Sequence, residues 1–298
     1  MNSLLTNVSA MTALQALTQT QQSLSTTENQ ISTGLAISSA ADNASYWSIA
    51  TKMSSDVGAL GAVQSALSES SSMVSTMSAA MTATISVMDA IKNDLVTASN
   101  PGSDLTKIQT DISAQQSLLQ SIGQSANFNG VNFLNTTGST VSLVASYDST
   151  NGVSTININT ANTMLFSIAA GASPTSSGTG ILDKAGTAYS SASIMTLNVS
   201  SATSGDIANM LTDVNTAINS ITTAGSTLGA NSTNIATQQN FISNLSNSLT
   251  SGIGSLVDAD MNQASTKLAA LQVQQQLGIQ ALSIANTNTQ MILKLFGG

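Results

Sequence analysis

Apolar residues recur at every seventh position over two long stretches: Met53, Leu60, Leu67, Val74, Met81, Met88 and Leu95, then Ile207, Val214, Ile221, Leu228, Ile235, Ile242, Leu249 and Leu256. A seven-residue repeat puts one stripe on a helix, and that stripe is useful only when buried against other helices. The companion positions Val57, Val63, Met77, Ile85 and Ile91 widen the first stripe unevenly. A multi-helix bundle therefore fits better than a strict two-stranded coil. One row is early in the chain and the other late, so the two ends must meet and the middle must project outward.

Two further amphipathic helices flank these rows. Residues 1 to about 33 carry Leu4, Val8, Met11, Leu14, Leu17, Leu24 and Ile31, with Gly34 as the stop. A final helix runs through Met261, Leu268, Leu271, Leu277, Leu282, Ile284, Ile292 and Phe296, after the register slips at 257–260. The long helix from Ala44 to about Ser99 is preceded by Asp42 and Asn43, either of which can cap it, and is ended by Asn100-Pro101-Gly102. Leu105, Ile108, Ile112, Leu119 and Ile122 predict a third helix, beginning at Ser103 and folding back on the second.

Between about 138 and 204 the texture changes to alternation. Val141 and Leu143, Ile156 and Ile158, and Ile194, Leu197 and Val199 predict short strands. Asn151-Gly152 predicts a hairpin, because both residues tolerate positive φ. Gly171 to Gly180 reads as a loop. The expected fold is mainly α: a long antiparallel helical bundle or coiled coil built from both chain ends, with a small β-rich central outer region. Its divisions fall at 1–43 with 258–298, at 44–135 with 205–257, and at 136–204.

Composition narrows the chemistry. Only 3% of the 298 residues are aromatic, so the core must come from Leu, Ile, Val, Met and Ala, which suits narrow helix seams. Charged residues make up 7% and the net charge is -8, with no Arg and no basic cluster. Nucleic acid and anionic membrane surfaces are therefore poor partners. The chain has no Cys and no His, which removes imidazole bases, thiol nucleophiles and the usual zinc sites. Glu28, Glu69 and twelve Asp residues remain, and a helix N-terminus accounts for Asp258 and Asp260 better than a catalytic pair does. We expect no enzyme activity and no cofactor. No run approaches the roughly 18 consecutive apolar residues of a membrane span, so no membrane insertion is expected, and the N-terminus lacks the pattern of a cleaved secretory signal.

Three segments resemble one family, the bacterial flagellins. Gln30 to Ser45, reading QISTGLAISSAADNAS, resembles the family's helix end, Ser/Thr-Gly-Leu turn and Asp-Asn restart. Ala126 to Leu134, ANFNGVNFL, resembles the turn after the third helix. The tail from Leu256 to Phe296, with VDAD at 257–260, QQLG at 275–278 and QALSIAN at 280–286, is similar to the C-terminal region of short alphaproteobacterial members. The likeness covers about 1–135 and 205–298 and leaves the middle unmatched.

The resemblance implies a terminal-helix inner domain, a helical rod domain and a minimal outer domain. It also implies a structural subunit of the extracellular flagellar filament. Such a subunit is exported with a chaperone through the flagellar type III apparatus by an uncleaved signal, and polymerises beside cap and hook-junction proteins, with itself or with related flagellins. Residues expected at the polymer interface are Leu4, Leu14, Leu17, Ile31, Leu35, Asp42, Asn43, Leu268, Leu271, Leu277, Leu282, Ile292 and Phe296. Alternative readings are the hook-filament junction protein and, from another class, a secreted helical adhesin. Some members carry a metallopeptidase in the middle region, which a chain without His does not accommodate.

Gln30 and Ala36 stand where many members carry Arg. Asn93 to Ser99 resembles the segment recognised by an animal innate immune receptor, again without its Arg. Purified monomer is expected to activate that receptor only weakly in a reporter-cell assay, and potent signalling would contradict this.

Overall fold

The computed structural model describes residues 7–136, 138, 140–167, 178–189 and 192–296, with the side chains of 288–296 excepted. Among the described residues there are five α-helices: α1 (Val8–Thr33), α2 (Ala44–Ala98), α3 (Leu105–Ser125), α4 (Ser204–Val257) and α5 (Met261–Phe296). Between α3 and α4 are strands β1 (Thr140–Asp148) and β2 (Gly152–Asn159) and two short 3-10 turns, Thr160–Asn162 and Ile194–Thr196. The mainly α class with a small sheet stands. Two compact units emerge, one of Met1–Val57 with Asn247–Gly298, the other of Gly58–Ser246.

Helix ends follow from local hydrogen bonding. The Asn7 side chain accepts from Ala10 N–H at 3.0 Å and caps α1, while Gly34, at φ 74°, closes it in the left-handed conformation. Asn43 Oδ1 accepts from the N–H groups of Ser45 and Tyr46 and caps α2. Asp42 does something else. Its carboxylate accepts from the N–H and hydroxyl of both Ser38 and Ser39, so it closes the turn before the helix. The start of α3 is corrected by one residue: Asp104 caps it through Lys107 N–H, and the Ser103 hydroxyl donates to Thr97 O. Thr203 and Asp206 form a reciprocal capping pair at α4, and Asp260 caps α5.

The second unit holds most of the core. From Leu60 to Leu95 and from Ile207 to Ile242, every member of the two seven-residue rows is buried. Ile112 and Leu119 of α3 join them, and Gln115 Nε2 bonds Asp94 at 2.7 Å, so α3 folds back on α2 as expected. Phe166 is buried directly under Gly123, where an added Cβ would run into its ring. Only glycine admits that ring. Among the described helices α2 is long and apolar enough by composition to cross a bilayer, yet its apolar positions are interleaved with Ser and Thr, and its buried row faces the protein core.

The central region departs from expectation in two places. β1 and β2 pair antiparallel with Asp148 opposite Gly152, as the hairpin reading requires. However, only Gly152 takes positive φ, at 78°. The Asp148 carboxylate holds the N–H groups of Thr150 and Asn151, which keeps Asn151 out of the left-handed region. Ile194, Leu197 and Val199 form no strand. Ser193 and Thr196 make a capping box around a 3-10 turn, and the backbone groups a neighbouring strand would take are taken by side chains. Gln116 donates to the carbonyls of Ile194 and Leu197, and Gln109 accepts from Val199 N–H. Asp213 of α4 likewise accepts from the N–H groups of Thr187, Ala188 and Tyr189. Most of the loop expected over 171–180 lies outside the described residues.

With so few charges, the helix surfaces are covered by hydroxyls that donate to the carbonyl four residues back. Thr12, Thr18, Thr20, Thr26, Thr27 and Thr33 do so in α1, and Thr212, Thr216 and Ser220 form a continuous series in α4.

Two measurements check this account. Leu67→Ala should destabilise the monomer by about 2–5 kcal/mol in denaturant unfolding, because Leu67 is wholly buried. The turn carboxylates titrate below the ordinary value of 3.8: Asp42 is held down by Ser39 N–H, Asp104 by Lys107 N–H, Asp148 by Asn151 N–H and Asp206 by the Thr203 hydroxyl. A carboxylate with a lowered folded value stabilises the fold above 3.8, and that contribution is lost as pH falls through the lower folded value. Monomer stability should therefore drop below pH 3.8, and Asp104→Asn should make that acid limb shallower.

Candidate polymer interface

In the first unit, α1 and α5 run antiparallel and in step. Asn7 Nδ2 donates to Ala285 O at 3.0 Å near one end, and Leu17 packs on Gly278. At the other end Ala259 N–H donates to Gly34 O at 2.8 Å, and Ala36 N–H to Val257 O at 2.7 Å. Leu35 and Asp258 complete this exchange as an antiparallel bridge. One residue forward on α1 thus corresponds to about one residue back on α5. At Gly278 an added Cβ would come within 3.3 Å of Leu17 Cδ1, so the absent side chain lets the helices approach there.

A two-helix pair can bury only the facing stripe of each member, and the remaining apolar residues show it. Leu271 is 9% exposed and is occupied inside the chain, with Ala264 beside it in the buried set. Leu17, Ile31, Leu35, Leu268 and Leu282 are only half-buried. Leu14 is 53% exposed and Leu277 58%. Asp42 is exposed and Asn43 half-buried, each committed to its turn or cap. Leu4 and the side chains of Ile292 and Phe296 lie outside the described residues.

The structure adds apolar positions absent from the expected interface set. Val8 and Met11 continue the Leu14 stripe at three-residue spacing, Val273 and Ile284 flank Leu277 on its face of α5, and Ile279 is exposed on another face of that helix. Tyr46, Trp47 and Ile49 expose a further cluster at the start of α2. The α1 and α5 positions carry the same periodic signal as their neighbours. Trp47 is off the seven-residue row, whereas Tyr46 lies on it, seven residues before Met53, and extends the row to the start of α2.

The contrast between the units is sharp. The first holds more than a third of the chain, but among the described residues it contributes only Ala50, Val257, Ala264 and Leu271 to the 37 buried apolar residues. Among the same described residues it contributes eleven of the sixteen large apolar residues left exposed. Charge does little to oppose close approach here, since Glu28 is the only charged residue between Val8 and Thr33. Scattered exposed apolar residues are ordinary on a protein surface; a concentration on paired helices with almost no core makes these faces the candidate interaction surface.

No group of three or more acidic, His or Cys side chains converges as a metal site among the described residues. An open cavity of about 630 Å³ between α4 and residues 179–187 is lined by Thr216, Ser220, Thr223 and Lys184, and its carboxylate, Asp213, is already occupied by three N–H groups.

Comparison with known proteins places these helices. Residues 4–139 match the bacterial flagellin N-terminal helical region and residues 211–296 the bacterial flagellin C-terminal helical region. The chain is 42% identical to Flagellin C of Rhizobium meliloti (strain 1021), with 99% of each chain covered, and 42% identical to a flagellin of Brucella melitensis biotype 1, with 100% of each covered. A crystal structure of Bacillus cereus flagellin is a remote neighbour, with a TM-score of 0.45 and 16% identity over 59% of this chain and 88% of that one. Both terminal helical regions and full-length relatives agree: the chain belongs to the bacterial flagellin family.

Proposed function

We infer that this chain is a structural subunit of the bacterial flagellar filament, and that it joins its neighbours through the outward apolar faces of α1 and α5 and the aromatic start of α2. The observation carrying this reading is the surplus of exposed apolar residues in the unit built from both chain ends. Burying such a face against another copy stabilises by roughly 1.5–3 kcal/mol for each large side chain fully removed from water. Contacts that repeat head to tail without closing generate an open helical polymer. Within the expected interface set, Leu14 and Leu277 are the strongest contributors on this reading. Leu271 acts indirectly, by holding α5 to α1.

In this reading residues 1–43 and 258–298 form the inner domain of the filament, 44–135 and 205–257 the rod, and 136–204 the outer surface. The role is structural and not catalytic. The subunit acts outside the cell after export through the flagellar type III apparatus, growing beneath a cap from a hook junction. Rhizobium meliloti (strain 1021) has relatives named Flagellin C and Flagellin A, at 42% and 34% identity to this chain, which supports a filament shared with related flagellins as well as a homopolymer.

Seeded growth tests the proposal. Full-length protein should extend filament seeds, as seen by electron microscopy, and removal of residues 261–298 should abolish extension. Leu14→Gln with Leu277→Gln should leave monomer helicity unchanged but raise the critical concentration about tenfold or more. Wild-type protein that stays monomeric at high concentration with seeds present would overturn it.

A further inference from the structure

The chain has twelve Met and no Cys, so thioethers are its only sulfur. Among the described residues their exposure runs from core to surface, with Met53, Met73 and Met195 half-buried between the extremes. Met77, Met81, Met88, Met164 and Met210 are at most 3% exposed within the second unit. Met11 on α1 is 63% exposed and Met261 at the start of α5 is 43% exposed, both in the first unit. Met11 sits between Val8 and Leu14 on the bare stripe of α1.

From the exposure of these two side chains we propose that Met11 and Met261 form an oxidation-sensitive site that decides whether a free subunit can polymerise. The inference rests on the interface reading above. The reagent is a peroxide. Its electrophilic oxygen is attacked by a thioether lone pair, an S–O bond forms as the O–O bond breaks, and the products are methionine sulfoxide and water. Sulfur is oxidised by two electrons and the peroxide is reduced by the same two.

The consequence follows from burial. A sulfoxide carries a strong hydrogen-bond acceptor, which water satisfies on the free subunit but an apolar neighbour does not. Oxidation therefore leaves the monomer's own fold intact, because neither side chain belongs to its core, and penalises only the state in which the α1 and α5 faces are covered. The buried methionines of the second unit are shielded, so their lower reactivity is an internal control. A subunit already in a filament has these thioethers covered and resists the same dose.

The test uses full-length monomer treated with hydrogen peroxide at doses giving partial oxidation, peptide mass mapping, circular dichroism and seeded growth. Met11 and Met261 should oxidise several-fold faster than Met77, Met81 and Met88, helicity should be unchanged, and the critical concentration should rise about tenfold or more. Methionine sulfoxide reductases A and B together should restore growth. The variant Met11→Leu with Met261→Leu, a volume-conserving change, is compared only with itself: whatever its own critical concentration, that value should not rise after peroxide. Normal growth of wild-type subunits shown to carry both sulfoxides would overturn the inference, as would equal loss of growth in the double variant. Failure of untreated wild-type protein to extend seeds would instead overturn the interface reading itself.

Discussion

Two helices lying side by side can cover one stripe each and no more, and the first unit of this protein is built from little else. α1 and α5 are aligned by hydrogen bonds at both ends and touch closely at Gly278, yet their outward faces still carry Val8, Met11, Leu14, Leu277 and Ile284. The second unit has enough elements to close its seam: α2, α3, α4 and the central segment supply nearly all of the buried apolar residues. On the proposed reading, stability and association fall to different parts of one chain. The long helices α2 and α4 contribute residues to both units.

The same division explains what could be seen in the sequence. A seven-residue repeat of Leu, Val and Met has one physical meaning, burial on one helix face, and the rows from Leu60 and Ile207 are buried as that meaning demands. Periodicity says that a stripe needs cover, not whether the cover comes from the same chain. Leu271 and Leu277 belong to the same amphipathic pattern, yet one is buried and the other bare. Only the number of helices at hand decides between them.

Elsewhere the outcome depended on single side chains. The alternation through Ile194, Leu197 and Val199 resembles a strand in spacing, but Gln109 and Gln116 of α3 take up the main-chain groups that a second strand would need. Both glutamines are ordinary polar residues of a helix face in the sequence, with no sign of a partner some eighty to ninety residues away. Asp42 and Asn43 were equally good caps on paper. The serines before Asp42 gave its carboxylate four nearer donors and left the helix to Asn43.

Asn7 performs two tasks with one amide. Its carbonyl oxygen ends α1, and its nitrogen reaches a carbonyl of α5 contributed by Ala285, 278 positions along the chain. The cap is made locally, but its tie to α5 can form only once almost the entire polypeptide has been delivered. If the chain is delivered front end first, the segment that arrives earliest must wait for the last-arriving one before the α1–α5 pair can be fastened at this end.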